Sequence, residues 1–103
     1  MTNRSVKARV CWVRKEDGGR DSPPPGPRYS TPARFEELKE KWPHEAWSLV
    51  LEFSGPPDES LCVIANVSFL NPDGPTALLH AGSVFELFEG HRLVARGEVL
   101  QDG

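Results

Sequence analysis

The 103-residue sequence is bounded first by what it is short of. No apolar run approaches the roughly 20 residues that a helix needs to cross a bilayer. The opening Met1-Thr2-Asn3-Arg4-Ser5-Val6-Lys7 has none of the apolar stretch of a secretory signal. These two absences predict a cytoplasmic protein with no membrane partner. Cysteine is limited to Cys11 and Cys62, a spacing that matches neither a zinc site nor a redox pair. Each lies in an apolar, strand-like run, and the expectation is two reduced thiols packed as small hydrophobes. His44, His80 and His91 are scattered, so no metal and no cofactor is predicted. No Ser-His-Asp or Cys-His arrangement and no paired-carboxylate motif has supporting context, so the sequence predicts no catalytic residue and no enzyme.

What the chain does contain is turn chemistry. Ten prolines and nine glycines among 103 residues favour many short strands over long helices. A chain of this length has room for one core, so residues 1–103 are expected to form a single domain. Charge is unevenly placed. Residues 1–41 carry ten Lys or Arg against six Asp or Glu, and residues 42–103 carry two against nine. A basic segment on an acidic body suits an anionic partner, and it equally suits pairing between the two halves of the chain.

Hydrophobic periodicity locates the elements. Val6, Ala8, Val10 and Trp12 alternate with Lys7, Arg9 and Cys11, the period-two signature of a half-buried strand. Residues 21–32 hold five prolines, which donate no backbone hydrogen bond, and are expected to be an extended loop. Thr31 as a cap, Pro32 at the first position and Phe35, Leu38 and Trp42 at helical spacing predict one short helix over 33–41, stopped by Pro43. Trp47, Leu49, Leu51 and Phe53 alternate next, then Leu61, Val63, Ala65, Val67 and Phe69. Residues 83–88 and 92–100 flank Glu89-Gly90-His91 and are expected to form a hairpin. The fold class is therefore all-β with one short helix. About five antiparallel strands in so short a chain suggest a small closed or nearly closed barrel. The predicted core is Val10, Trp12, Leu49, Leu51, Val63, Ala65, Phe85, Leu87, Leu93 and Ala95. The first and last strands are expected to lie together.

Two stretches carry a resemblance. Val6 to Arg20 runs V-K-A-R-V-C-W-V into R-K-E-D-G-G-R, followed by Asp21-Ser22-Pro23 and Gly26. Val84 to Val99 runs V-F-E-L-F-E-G-H-R-L-V-A-R-G-E-V. In order and in placement at the two ends, they resemble the third domain of elongation factor Tu, the C-terminal six-stranded antiparallel β-barrel of that GTPase. The centre departs from that pattern, and residues 47–79 show no alignable motif. The resemblance implies a six-stranded barrel without GTPase activity, since the chain has no Gly-rich phosphate loop ending in Lys-Ser or Lys-Thr. In the factor this barrel contacts the T-stem backbone of aminoacyl-tRNA and packs against the GTPase domain. The resemblance places Glu89 and Gly90 on the tRNA-facing side, and Gly18, Gly19 and Arg20 towards the domain interface. His91 stands where the family has a glycine, which bears on any close approach to an RNA backbone.

The candidate partner-binding residues are Arg14, Lys15, Gly18, Gly19, Arg20 and Arg28 from the basic half, with Glu89, Gly90, His91 and Arg92 from the last hairpin. Cations beside a Gly-Gly turn can pair phosphates or carboxylates; a turn that only needs positive φ, in a solvated loop, accounts for the same residues. The expected function is a non-catalytic binding module, with tRNA-like RNA or a translation-factor protein as partner. The alternative is a protein-interaction module, a decoy or neutralising partner, unrelated to tRNA.

Overall fold

The computed structural model describes residues 5–24, 27–42 and 46–101. Pro25 and Gly26 of the expected proline loop, and the expected helix stop Pro43, lie outside the described residues. Six strands, β1 (Val6–Trp12), β2 (Arg28–Phe35), β3 (Trp47–Phe53), β4 (Cys62–Phe69), β5 (Val84–Glu89) and β6 (Arg92–Gln101), close into a barrel in the order β1-β4-β3-β2-β5-β6. Every neighbouring pair is antiparallel. Among the described residues, no helix is long and apolar enough to cross a membrane.

Alternation turns one face of each strand inward. Val6, Ala8, Val10 and Trp12 of β1 are buried while Lys7 and Arg9 face solvent. β1 pairs with β4 on one side and β6 on the other, with Val10 opposite both Val63 and Gly97. The first and last strands thus meet, and the barrel has closed over what would otherwise be two sheet edges. Eight of the ten expected core residues join the core cluster. Val63 packs at its margin. Leu93 is set aside by a bulge between Leu87 and Phe88, where β5 residues 87–88 face β6 residues 93–95. Val94 is the extra residue there and, with Ala95, is fully buried. Gly97 is fixed by packing, since a Cβ would come 2.3 Å from the Phe85 ring.

The segment expected to be a helix departs from that expectation. Residues 33–35 continue β2, and Glu36–Lys41 is a 3-10 turn interrupted by non-helical angles at Leu38. Phe35 alternates with Ala33 into the core as well as it would serve a helix, and short apolar runs leave the two periods indistinguishable. Thr31 is not a helix cap. It pairs with Leu49, and its hydroxyl donates to the Phe88 carbonyl beside the bulge. The proline loop likewise ends sooner than expected, because β2 begins at Arg28. Pro32 is tolerated within β2: it lies opposite Ser48, and pairing with β5 starts only at Ala33.

The cysteines are not reduced. Cys11 and Cys62 stand directly opposite each other between β1 and β4 and form a disulfide, with their Cα atoms 3.9 Å apart. Their 51-residue separation hid this, because the register that brings them together is set by barrel closure and leaves no local mark in the sequence.

Candidate functional site

The alternation of strand directions assigns every loop to one of two barrel ends. β1, β3 and β5 finish at the same end at which β2, β4 and β6 begin. That end carries the connections 13–27, 54–61 and 90–91, and with them all ten candidate residues. The other end carries the segments 36–42 and 70–83, with the start of β1 and the end of β6.

At the first end, β1 leads through Val13 into a 3-10 turn, Lys15–Asp17, capped by Gly18 at φ 96° with its N–H donating to the Lys15 carbonyl. Gly18 therefore has the positive φ expected of a turn glycine. Gly19 does not share that reason. A Cβ there would lie 2.0 Å from the Val13 carbonyl oxygen, so it is close approach that requires glycine. Gly90, at φ 63°, makes the β5–β6 turn.

The chain directs Arg20 across the end of the barrel to Glu89. Its guanidinium pairs with the Glu89 carboxylate, which also accepts a hydrogen bond from the Tyr29 hydroxyl. Arg20 in turn lies over the Tyr29 ring, 5.7 Å from its centroid, and donates through Nε to the Ser22 carbonyl at 3.0 Å. The two turns that the resemblance assigns to different sides are thus in direct contact. Burial pushes the Tyr29 hydroxyl up to about 12, and its bond to Glu89 adds to the effect. For Glu89, burial acts upward, but Tyr29 and Arg20 together hold the carboxyl below its ordinary value.

The remaining candidates are less engaged. Among the described residues, the Arg14 guanidinium reaches only the Glu59 carbonyl, at 3.4 Å. Lys15 and Asp21 approach to 3.7 Å with both side chains exposed. Arg28, opposite Glu52, and Arg92, opposite Glu89, are exposed at the starts of β2 and β6, and His91 is exposed in the turn. In sum, the described residues of this end bring Arg14, Lys15, Arg20, Arg28 and Arg92 against Glu16, Asp17, Asp21, Asp58, Glu59 and Glu89. The end is close to electrically neutral. The same logic runs down the wall, where Arg34 and Arg96 flank Glu86. Pairing between the basic and acidic halves of the chain is therefore realised in the fold.

Sequence reasoning missed the apolar part of this end. A groove of about 550 Å³ runs between the 13–27 and 54–61 loops over Trp12, Phe53 and Val63, walled by Pro23, Pro24, Pro27, Pro56 and Pro57. Trp12 packs edge-on against Tyr29 at 5.6 Å and Phe53 at 5.9 Å. The available signal was a pair of proline clusters, one between Trp12 and Tyr29 and one just after Phe53. No protein-family profile matches the chain, and no curated protein matches it.

Proposed function

We propose that this chain is a non-catalytic binding module that presents its three-loop end to a protein partner. The observation that carries this reading is the charge balance of that end. Its cations sit among at least as many carboxylates, and the most central of them, Arg20, is already paired with Glu89. A surface that tracks nucleic-acid phosphates needs uncompensated Lys and Arg. A near-neutral end with an apolar centre and a polar rim has the composition of a protein interface. The resemblance to the elongation factor barrel supports a translation factor as the partner, without the tRNA contact.

The test is a salt series on two probes. Fluorescence anisotropy with labelled bulk tRNA should show no saturable binding at physiological salt. Affinity capture with the tagged chain should recover a protein partner that is retained when salt is raised. Saturable tRNA binding that falls steeply with salt and is lost in Arg14→Glu would overturn the reading in favour of RNA.

A further inference from the structure

The proposed function leaves open what part of a partner enters the groove beside Trp12. The lining answers in chemical terms. Among the described residues that line it, none is charged and half are prolines, which have no N–H to offer. A ligand rich in charge would lose its hydration there without compensation. The floor supplies aromatic surface: Phe53 is partly exposed, and Trp12, only 6% exposed, meets solvent where it lines this groove and the adjoining hollow. Among the described residues, none accepts a hydrogen bond from the Trp12 indole N–H, and that nitrogen is not among the fully buried unpaired atoms. A residue more than nine-tenths buried thus keeps one open donor on the side that lines the groove and the adjoining hollow.

From these observations we infer that the groove receives a proline-rich, uncharged segment of the partner in polyproline II conformation, an assignment that rests on the protein-binding reading above. Such a segment offers apolar rings to Trp12 and Phe53. It offers carbonyl acceptors to the indole N–H. It brings few N–H donors of its own, so a groove with few side-chain acceptors leaves little of it unsatisfied. Both surfaces are restricted before they meet. Prolines hold the walls, and the polyproline II helix needs little further ordering, so association costs less entropy than it does for a flexible loop and peptide. An anionic segment fits less well. The neighbouring hollow holds Arg14, Lys15 and Arg20, but also Glu16 and Asp21, and Arg20 is already held by Glu89.

Decaproline is the probe, titrated into the folded chain and followed by tryptophan fluorescence and calorimetry, with a Gly-Ser peptide of equal length as control. Saturable binding of decaproline, little changed by salt, with none for the Gly-Ser peptide, is the expected result. Trp12→Phe, which keeps a ring but deletes the donor, should weaken binding about ten-fold, the upper range for one hydrogen bond. Should Trp12→Phe fail to fold, Pro56→Glu, at an exposed position on the rim, should still fold and should abolish binding. No saturable decaproline binding, equal binding of the Gly-Ser peptide, or undiminished binding by Pro56→Glu would each overturn the inference. If decaproline fails while a protein partner is still captured, the groove assignment falls and the binding-module reading stands.

Discussion

The two ends of this barrel are built from the same material and finished differently. At one end Phe35, Phe69 and Phe85 stack at 5.6 to 5.8 Å, all within 2% of complete burial. Leu78 of the 3-10 turn Thr76–Leu78 and its cap Leu79 join the same buried cluster, and Gly74 lets the chain pass against the Phe69 ring. At the other end, Trp12, Tyr29 and Phe53 make an equivalent trio. Among the described residues no leucine pair covers it, and Tyr29 and Phe53 remain half-buried. The contrast shows which end folding seals and which end it leaves open. A sealed end contributes its full apolar area to stability. An unsealed one gives up part of that area and keeps a groove lined by prolines.

The largest effect that would break this comparison is a truncation at each end. Phe69→Ala should cost about 3–5 kcal/mol, as expected for a fully buried phenylalanine. Phe53→Ala should cost less, about 1–2 kcal/mol, because its ring is already partly in water. Urea unfolding of both variants measures the difference, and equal losses would mean that the groove end is as much core as the sealed end.

Next in size is the disulfide, which lies at the groove end. Cys11 precedes Trp12, and Cys62 follows the 54–61 loop, whose Asp58 carboxylate accepts from the Cys62 N–H at 2.9 Å. Replacing both cysteines with serine should cost about 2–4 kcal/mol. Hydrogen exchange should then accelerate at Trp12, whose N–H donates to the Leu61 carbonyl, while the amides at Leu78 and Leu79 stay protected. Uniform acceleration at both ends would remove the distinction between them.

Much of this organisation was legible in the sequence wherever one face of a strand is buried. Val6 to Trp12, Trp47 to Phe53 and Ala65 to Phe69 alternate because only one side meets the core, and those strands were placed within a residue or two. Residues 33–41 were misjudged for a physical reason. Phe35 satisfies both periods, and the decision belongs to the pairing of Ala33 with Leu87 across the barrel. The cysteine pairing was hidden in the same way. For the site, the cations and the turn glycines announced themselves locally. The contact of Arg20 with Glu89 was foreshadowed only by the opposite charges of the two halves. Tyr29, Phe53 and the prolines at 56 and 57 were missed because the groove gathers strand ends far apart in the chain.

Turns from the two halves of the chain meet at one end through Arg20, Glu89 and Tyr29, and one titration reads that contact. The chain contains a single tyrosine, so tyrosinate absorbance against pH reports Tyr29 alone. Folded protein should show its midpoint pushed from the ordinary 10.0 up to about 12, and protein unfolded in guanidinium should return to the ordinary value. Because the folded value is the higher one, the stabilisation linked to Tyr29 is fully present below pH 10.0. It is lost as the pH rises through about 12. A folded chain whose tyrosine ionises at the ordinary value would place Tyr29 in open solvent, away from Glu89, and would rule out this meeting of the two turns.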